Sequence, residues 1–293
     1  MTADEVRAAL AAAGVPAPAG GHEVRPIEGG SANWTFDVDG GWIVRFPRTD
    51  LVAASTAREL VLLPALQDAL PFAVPALLWH GRHAGRPWLG YRRITGEAID
   101  RLDPVRDAAL AVALGRGLAA LHAFPIERAR GLLGGAATPA AWAARYEALR
   151  GEARARLQDV LDAADASRLE RAIDAFIAQA DAFVPALVHG DLGPEHVLVD
   201  GWGRFTGIID WEDAAVGDPA IDFAGLWGRL GATAARAVLA AYGRGGERAF
   251  ERRVQAYAWI AVVHDLLHAV AAGDRDATAR AAAALRRRLA AKD

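Results

Sequence analysis

The chain of 293 residues is 53% hydrophobic, enough for a sizeable core in one large domain or two lobes. A formal net charge of −3 argues against a broad nucleic-acid-binding face, and the absence of cysteine excludes disulfides, thiolate catalysis and Cys-based zinc sites. The first residues, Met1-Thr2-Ala3-Asp4-Glu5, are acidic where a secretory leader is basic, and Gly14 and Pro16 break the apolar run behind them. No stretch reads as a bilayer span. The expectation is a cytoplasmic protein with no membrane or nucleic-acid partner, acting as a monomer.

Residues 2–13 are patterned as a short amphipathic helix. Between Val24 and Val44, glycines punctuate stretches rich in Val, Ile, Trp and Phe, and Asp39-Gly40 marks a tight turn between Trp34–Val38 and Trp42–Phe46. Leu60, Leu63, Leu66 and Leu70 recur at helical spacing, which predicts a helix over Ala53–Leu70, with Pro64 as a kink or boundary. Two further strands are predicted at Val74–Trp79 and Trp88–Ile94, joined by a loop at Gly81–Pro87. After Gly96 the chain turns helical, with helices over Asp107–Leu121 and at least two within Ala140–Ala182. A loop is expected around Gly131–Thr138. Short strand-like pieces interrupt the helical part at Ala186–Val188, Val197–Val199 and Gly207–Ile209, and helices resume from Phe223. A small β-rich lobe (1–94) ahead of a large helical lobe (95–293) is an α+β arrangement, with a ligand cleft between the lobes.

The polar residues that carry chemistry sit among those short strands. The stretch Leu187-Val188-His189-Gly190-Asp191 leads into a loop that ends at His196-Val197-Leu198. A second acid, Asp210, follows directly on Gly207-Ile208-Ile209. Phosphoryl transfer needs a carboxylate to accept a hydrogen bond from the attacking hydroxyl, ligands for Mg²⁺, and a cation for the nucleotide's charge. Asp191 suits the base, and Asp210 and His196 suit the metal, although hard cations prefer oxygen to imidazole.

His189-Gly190-Asp191, His196, Ile209-Asp210-Trp211, Gly217-Asp218-Pro219 and Asp222-Phe223 stand in the order found in the aminoglycoside and macrolide phosphotransferases, relatives of protein kinases, and the chain resembles that family over nearly its whole length. The family's usual form has Asn where this chain has His196, a variant that resembles the macrolide 2′- and aminoglycoside 2″-phosphotransferase branch. Leu70–Pro75 is similar to the macrolide enzymes, and Tyr91-Arg92-Arg93-Ile94-Thr95-Gly96 to the aminoglycoside enzymes.

The resemblance implies a protein-kinase-like two-lobe fold. ATP or GTP would bind the N-lobe under a loop formed by Gly29, Gly30 and Ser31. The family's strand lysine falls on Arg45, which Glu59 would pair with and orient; Arg keeps the charge but as a planar fork. Tyr91, Arg92, Arg93 and Ile94 would form the hinge that reads the base through backbone groups. Asp191 would be the catalytic base, and Asp210 and His196 would hold Mg²⁺.

Other polar residues have plainer readings. His189 is expected to tie the loop backbone together, Asp218 and Asp222 to brace it, and His122 to end a helix. His264, Asp265 and His268 share helical spacing and are read as a helix face bordering the cleft. Glu195, Glu212, Asp213 and Asp265 could supply negative charge to an acceptor pocket, and Trp211, Trp227 and Trp259 apolar surface. The function expected is transfer of the terminal phosphate of ATP or GTP to a hydroxyl of a small molecule, first an aminoglycoside antibiotic, implying resistance by modification. A macrolide, a metabolite such as a sugar, choline or homoserine, and a non-catalytic kinase-like binding protein are the alternatives.

Overall fold

The computed structural model describes the chain except residues 29, 31, 100–107, 135–137, 179–182 and 291–293. Helix α1 (Ala3–Ala12) begins at a capping box, in which the Thr2 hydroxyl accepts from the Glu5 N–H and the Glu5 carboxylate from the Thr2 N–H. Five strands follow: β1 (Val24–Ile27), β2 (Asn33–Val38), β3 (Trp42–Pro47), β4 (Leu77–His83) and β5 (Arg86–Arg92). They form an antiparallel sheet in the order β1-β2-β3-β5-β4. Asp39 and Gly40 both take positive φ, 54° and 70°, as the tight turn between β2 and β3 demands. Helix α2 (Asp50–Gln67), capped by Thr49, packs on β3 and β5 and carries Pro64 without ending there.

The predicted strand at Val74–Trp79 begins later and runs longer. His80–His83 pair with Arg86–Leu89, so the expected loop at Gly81–Pro87 shrinks to a turn at Ala84-Gly85. The preceding segment is pulled into the helical part instead. Phe72 and Val74 are buried in its core, and Ala73 exchanges backbone hydrogen bonds with Thr206 and Ile208.

The helical part comprises α3 (Ala108–His122), α4 (Ile126–Leu133), α5 (Pro139–Arg156), α6 (Ala163–Ile177), α7 (Ala232–Tyr242), α8 (Arg248–Ala272) and α9 (Arg275–Ala290). Helix α4 occupies part of the segment expected to be a loop at Gly131–Thr138. By length and apolarity α8 could cross a membrane, a possibility the sequence reading did not pick out. Most of its apolar residues, from Phe250 to Leu267, are buried in the largest core cluster instead.

Two small sheets lie inside this part: β6 (Glu97–Ala98), β8 (Val197–Val199) and β9 (Phe205–Ile208) in the order β6-β8-β9, and β7 (Ala186–Val188) beside β10 (Ala215–Gly217). β7, β8 and β9 are largely buried in the core, so the loops at their ends are held by rigid walls.

Candidate active site

The loop between β7 and β8 carries Asp191, and the residue after Ile209, at the end of β9, is Asp210. Ile209 locks the two together with its own backbone. Its N–H donates to the His196 carbonyl (3.0 Å), and its carbonyl accepts from Nε2 of His189 (2.9 Å). His189 is fully buried, and burial lowers its pKa, so the ring is a neutral fixture. The expected backbone-tying role of His189 is thus visible in the geometry. Asp210 itself stands at φ 67°, a backbone conformation uncommon outside glycine and concentrated at functional sites.

Glycine is required beside Asp191. Gly190 has φ 88°, and a Cβ there would run into the carbonyl oxygen of Asp213. Buried Asp222 braces the loop from below: its two carboxylate oxygens accept from the backbone N–H groups of His189 and Gly190, both at 2.9 Å. His122, at the end of α3, reaches the same carboxylate at 2.9 Å and the Tyr242 hydroxyl at 2.9 Å. Asp218 caps the following turn at Ala220 and pairs with Arg253 of α8 at 2.8 Å.

Nδ1 of His196 lies 2.7 Å from the Asp191 carbonyl oxygen. A carbonyl can only accept, so Nδ1 carries the proton. In the neutral ring Nε2 then presents a lone pair to Oδ2 of Asp210, 3.6 Å away. Two acceptors facing one another without a donor between them suit a cation. The donor set fits Mg²⁺ on this ground: it takes one or two protein ligands and completes its shell from phosphates and water, although imidazole is the softer partner. Among the described residues no cluster of three or more His, Asp or Glu forms a protein-only metal cage, and His264, Asp265 and His268 on α8 form none.

The Asp191 carboxyl is pushed up to about 6. Loss of water is the main cause; His196 pulls the other way, and the carboxylates of Asp213, Asp210 and Glu195 push further. A carboxylate so placed is a stronger base than an ordinary one and still ionised at neutral pH.

Arg45 on β3 is buried, with Glu59 of α2 at 3.0 Å, Asp210 at 2.9 Å and Glu212 at 2.7 Å. Burial opposes the guanidinium charge, and the carboxylates around it more than offset that, so Arg45 is held above its ordinary range. Burial pushes Glu59 up to about 7 against the pull of Arg45. Glu212 also accepts from Asn33 of β2 at 2.8 Å. Asn33 was not singled out in the sequence, and Glu212 was assigned to the acceptor pocket. Nothing in their spacing shows that they converge on Arg45; a carboxylate two residues after Asp210 is the one available sign.

Of the glycine loop, Gly30 has φ 74°, whereas Gly29 and Ser31 lie outside the described residues. Within the expected hinge, Tyr91 and Arg92 are paired in the sheet with Ile43 and Trp42. The Arg93 N–H donates to the Gly41 carbonyl at 2.9 Å. Ile94 lies beyond the sheet pairing.

A cavity of about 460 Å³ opens beside the loop of Asp191, lined by Gly190 and Asp213 and walled by Trp142, Tyr146, Phe183 and Tyr257. The tryptophans expected to give an acceptor pocket apolar surface are not among these lining residues. Trp211 and Trp259 are buried in the core, and Trp227 packs against it under the Arg236 guanidinium. Of the four acids expected to charge an acceptor pocket, Asp213 lines this cavity, Glu195 pairs with Arg229, Glu212 pairs with Arg45, and Asp265 is not among the lining residues. The wall aromatics come from α5, α8 and the segment before β7, and nothing in their spacing announces that they meet.

A β-sheet lobe over a helical part, with an acidic loop, a second acid after a short strand and a carboxylate-anchored strand cation, defines a phosphotransferase of kinase-like fold. A profile of the phosphotransferase enzyme family (APH) matches residues 23–257, and the chain belongs to that family. Viomycin phosphotransferase of Streptomyces vinaceus is 30% identical over 246 residues, covering 80% of this chain and 83% of the relative. The GDP complex of wild-type aminoglycoside 2′-phosphotransferase-IIIa superposes with a TM-score of 0.81 at 27% identity, over 92% of this chain and 93% of that one. Macrolide 2′-phosphotransferase type I superposes at 0.74 with 27% identity, over 97% and 98%.

Proposed function

We propose that this phosphotransferase moves the terminal phosphate of ATP or GTP to a hydroxyl of an antibiotic-sized small molecule, with Asp191 as the base. One observation carries the reading: Ile209 holds Asp210 and His196 beside Asp191, so two facing side chains that suit a cation and a carboxylate of raised pKa share one loop mouth. The acceptor enters the aromatic-walled cavity, and its hydroxyl donates a hydrogen bond to the Asp191 carboxylate. As the hydroxyl oxygen bonds to the terminal phosphorus, the bond from that phosphorus to the bridging oxygen breaks, ADP or GDP leaves, and Asp191 takes the hydroxyl proton. Arg45, oriented by Glu59, offers positive charge to the nucleotide phosphates, and Gly29, Gly30 and Ser31 are assigned to the same phosphates. Tyr91, Arg92, Arg93 and Ile94 form the hinge that meets the base through backbone groups, and Ile94 lies beyond the sheet pairing. Asp210 and His196 would hold Mg²⁺, which supplies charge neutralisation for the departing phosphate. Dependence on ATP or GTP makes the cytoplasm the natural compartment.

Relatives named for viomycin, aminoglycosides and macrolides support an antibiotic acceptor without choosing among them. The test is incubation with γ-labelled ATP and GTP in parallel against a mixed panel of those antibiotics and of sugar, choline and homoserine. Label moving to an acceptor supports the reading; none moving to any of them, with nucleotide bound, favours a binding protein.

A further inference from the structure

The charge of the cavity beside Asp191 identifies its occupant more closely than the relatives do. Four aromatic side chains form its wall, and Trp142 Nε1 donates to the Tyr257 hydroxyl at 2.7 Å, which holds two of them rigid. Two arginines are also among its lining residues, Arg58 of α2 and Arg145 of α5. Among the described residues neither has a carboxylate partner: Arg58 touches the Ser55 hydroxyl at 2.8 Å, and Arg145 lies over the Tyr146 ring at 5.9 Å. Among the described residues two acids line the cavity as well. Asp218 is 1% exposed and neutralised by Arg253 at 2.8 Å, which leaves Asp213 as the described lining carboxylate without such a partner.

A polycation carrying several ammonium groups needs a carboxylate for each, and complementary charge is what gives a site its selectivity. Among the described residues, two arginines without a carboxylate partner stand against Asp213 in the lining and the Asp191 carboxylate that meets the hydroxyl, which leaves no surplus of acid for a polycation. Arginine forks match a carboxylate with two parallel N–H donors, and the aromatic wall suits a flat apolar face.

We propose that the acceptor is a hydroxyl compound bearing a carboxylate and a flat apolar face, selected by Arg58 and Arg145, and not a polycationic aminoglycoside. The proposal rests on the reading above that this cavity receives the acceptor.

A matched series tests it on the intact protein: p-nitrophenyl β-D-glucuronide, the corresponding neutral glucoside and the cationic glucosaminide, with kanamycin as the polycation. Binding is measured by saturation-transfer NMR and tryptophan fluorescence without nucleotide. The glucuronide is expected to bind about tenfold tighter than the glucoside, the worth of one charge-assisted pair, with the glucosaminide weakest. Arg58→Gln and Arg145→Gln should each weaken that preference and together abolish it, with Tm and GDP affinity unchanged, and Arg145→Glu should move the preference towards the glucosaminide.

Tightest binding by kanamycin or the glucosaminide would overturn the proposal, as would a glucuronide preference that survives in the double variant. Loss of GDP affinity on replacing the arginines would overturn it too, by assigning them to the nucleotide phosphates. Phosphate transfer is scored separately. A glucuronide preference with no transfer to any acceptor would sink the catalytic reading alone; transfer with a preference for cations would sink only the choice of acceptor.

Discussion

Nε2 of His196 faces Oδ2 of Asp210 at 3.6 Å while the other ring nitrogen is fixed on the Asp191 carbonyl at 2.7 Å. One side chain thus ties the backbone of the proposed base to the proposed metal site. Replacing His196 with Ala removes one donor and leaves Asp210 alone. The Mg²⁺ concentration for half-maximal turnover is expected to rise by about tenfold or more, the usual cost of a lost ligand-shell group. His196→Asn supplies an oxygen donor and should recover much of it. A Mg²⁺ titration of turnover in both variants checks this, and an unchanged requirement in His196→Ala would remove His196 from the metal site.

Arg45 is the counter-charge for Glu59, Asp210 and Glu212 together. In Arg45→Ala these carboxylates face one another with no cation. Loss of one partner from a buried pair costs about 3–5 kcal/mol. Protonating the carboxylates relieves the repulsion, and Glu59 is the first to protonate as the pH falls, being already raised to about 7. The deficit of Arg45→Ala in urea denaturation is therefore expected to be larger at pH 8 than at pH 5. A deficit independent of pH would mean that the cluster is not electrostatically coupled.

The carboxyl of Asp191, raised to about 6, predicts two pH effects of opposite sign. The base must be ionised, so kcat/KM should rise through pH 6 and be about tenfold lower at pH 5 than on its plateau. Folding, in contrast, favours the protonated form of a group whose pKa it raises. That contribution is fully present below the ordinary carboxylate range and is lost as the pH rises through about 6. Asp191→Asn, which cannot ionise, should therefore have a higher Tm than the parent at pH 8 and a similar one at pH 3.5. A lower Tm at pH 8 would show that the charged carboxylate is stabilised by partners.

Gly190 takes φ 88° against the Asp213 carbonyl, so any side chain there strains the loop and displaces its neighbour. Gly190→Ala is expected to cost at least about 1–2 kcal/mol of stability and to lower kcat more than it raises the nucleotide KM, because the shift falls on Asp191. Steady-state kinetics with thermal unfolding separates the two effects; unaltered kcat would place Gly190 outside the machinery.

Much of this architecture is legible in the chain. The Asp39-Gly40 turn, the strands on either side of Asp191 and the acid after Ile209 are local patterns, and local patterns survive folding. The strand at Leu77–His83 was misplaced because Val74 satisfies its apolarity in the helical core, a choice made by distant residues such as Gly207 and Phe205. Arg45 and Glu59 could be paired on paper because a family pattern supplied the distance between them. Glu212 and Asn33 are separated by most of the chain and joined only by folding. The cavity wall escaped for the same reason: Trp142, Tyr146, Phe183 and Tyr257 meet through helix packing, and the more conspicuous Trp211 and Trp259 are spent on the core.

The central claim is that Asp191 performs the proton transfer while other groups bind the nucleotide. Turnover of Asp191→Asn measured beside its nucleotide Kd tests it most directly. The account predicts a loss of about a hundredfold or more in kcat, the range for a lost general base, with ATP or GTP bound as tightly as in the parent. Near-parental kcat in a variant that binds nucleotide normally would contradict it.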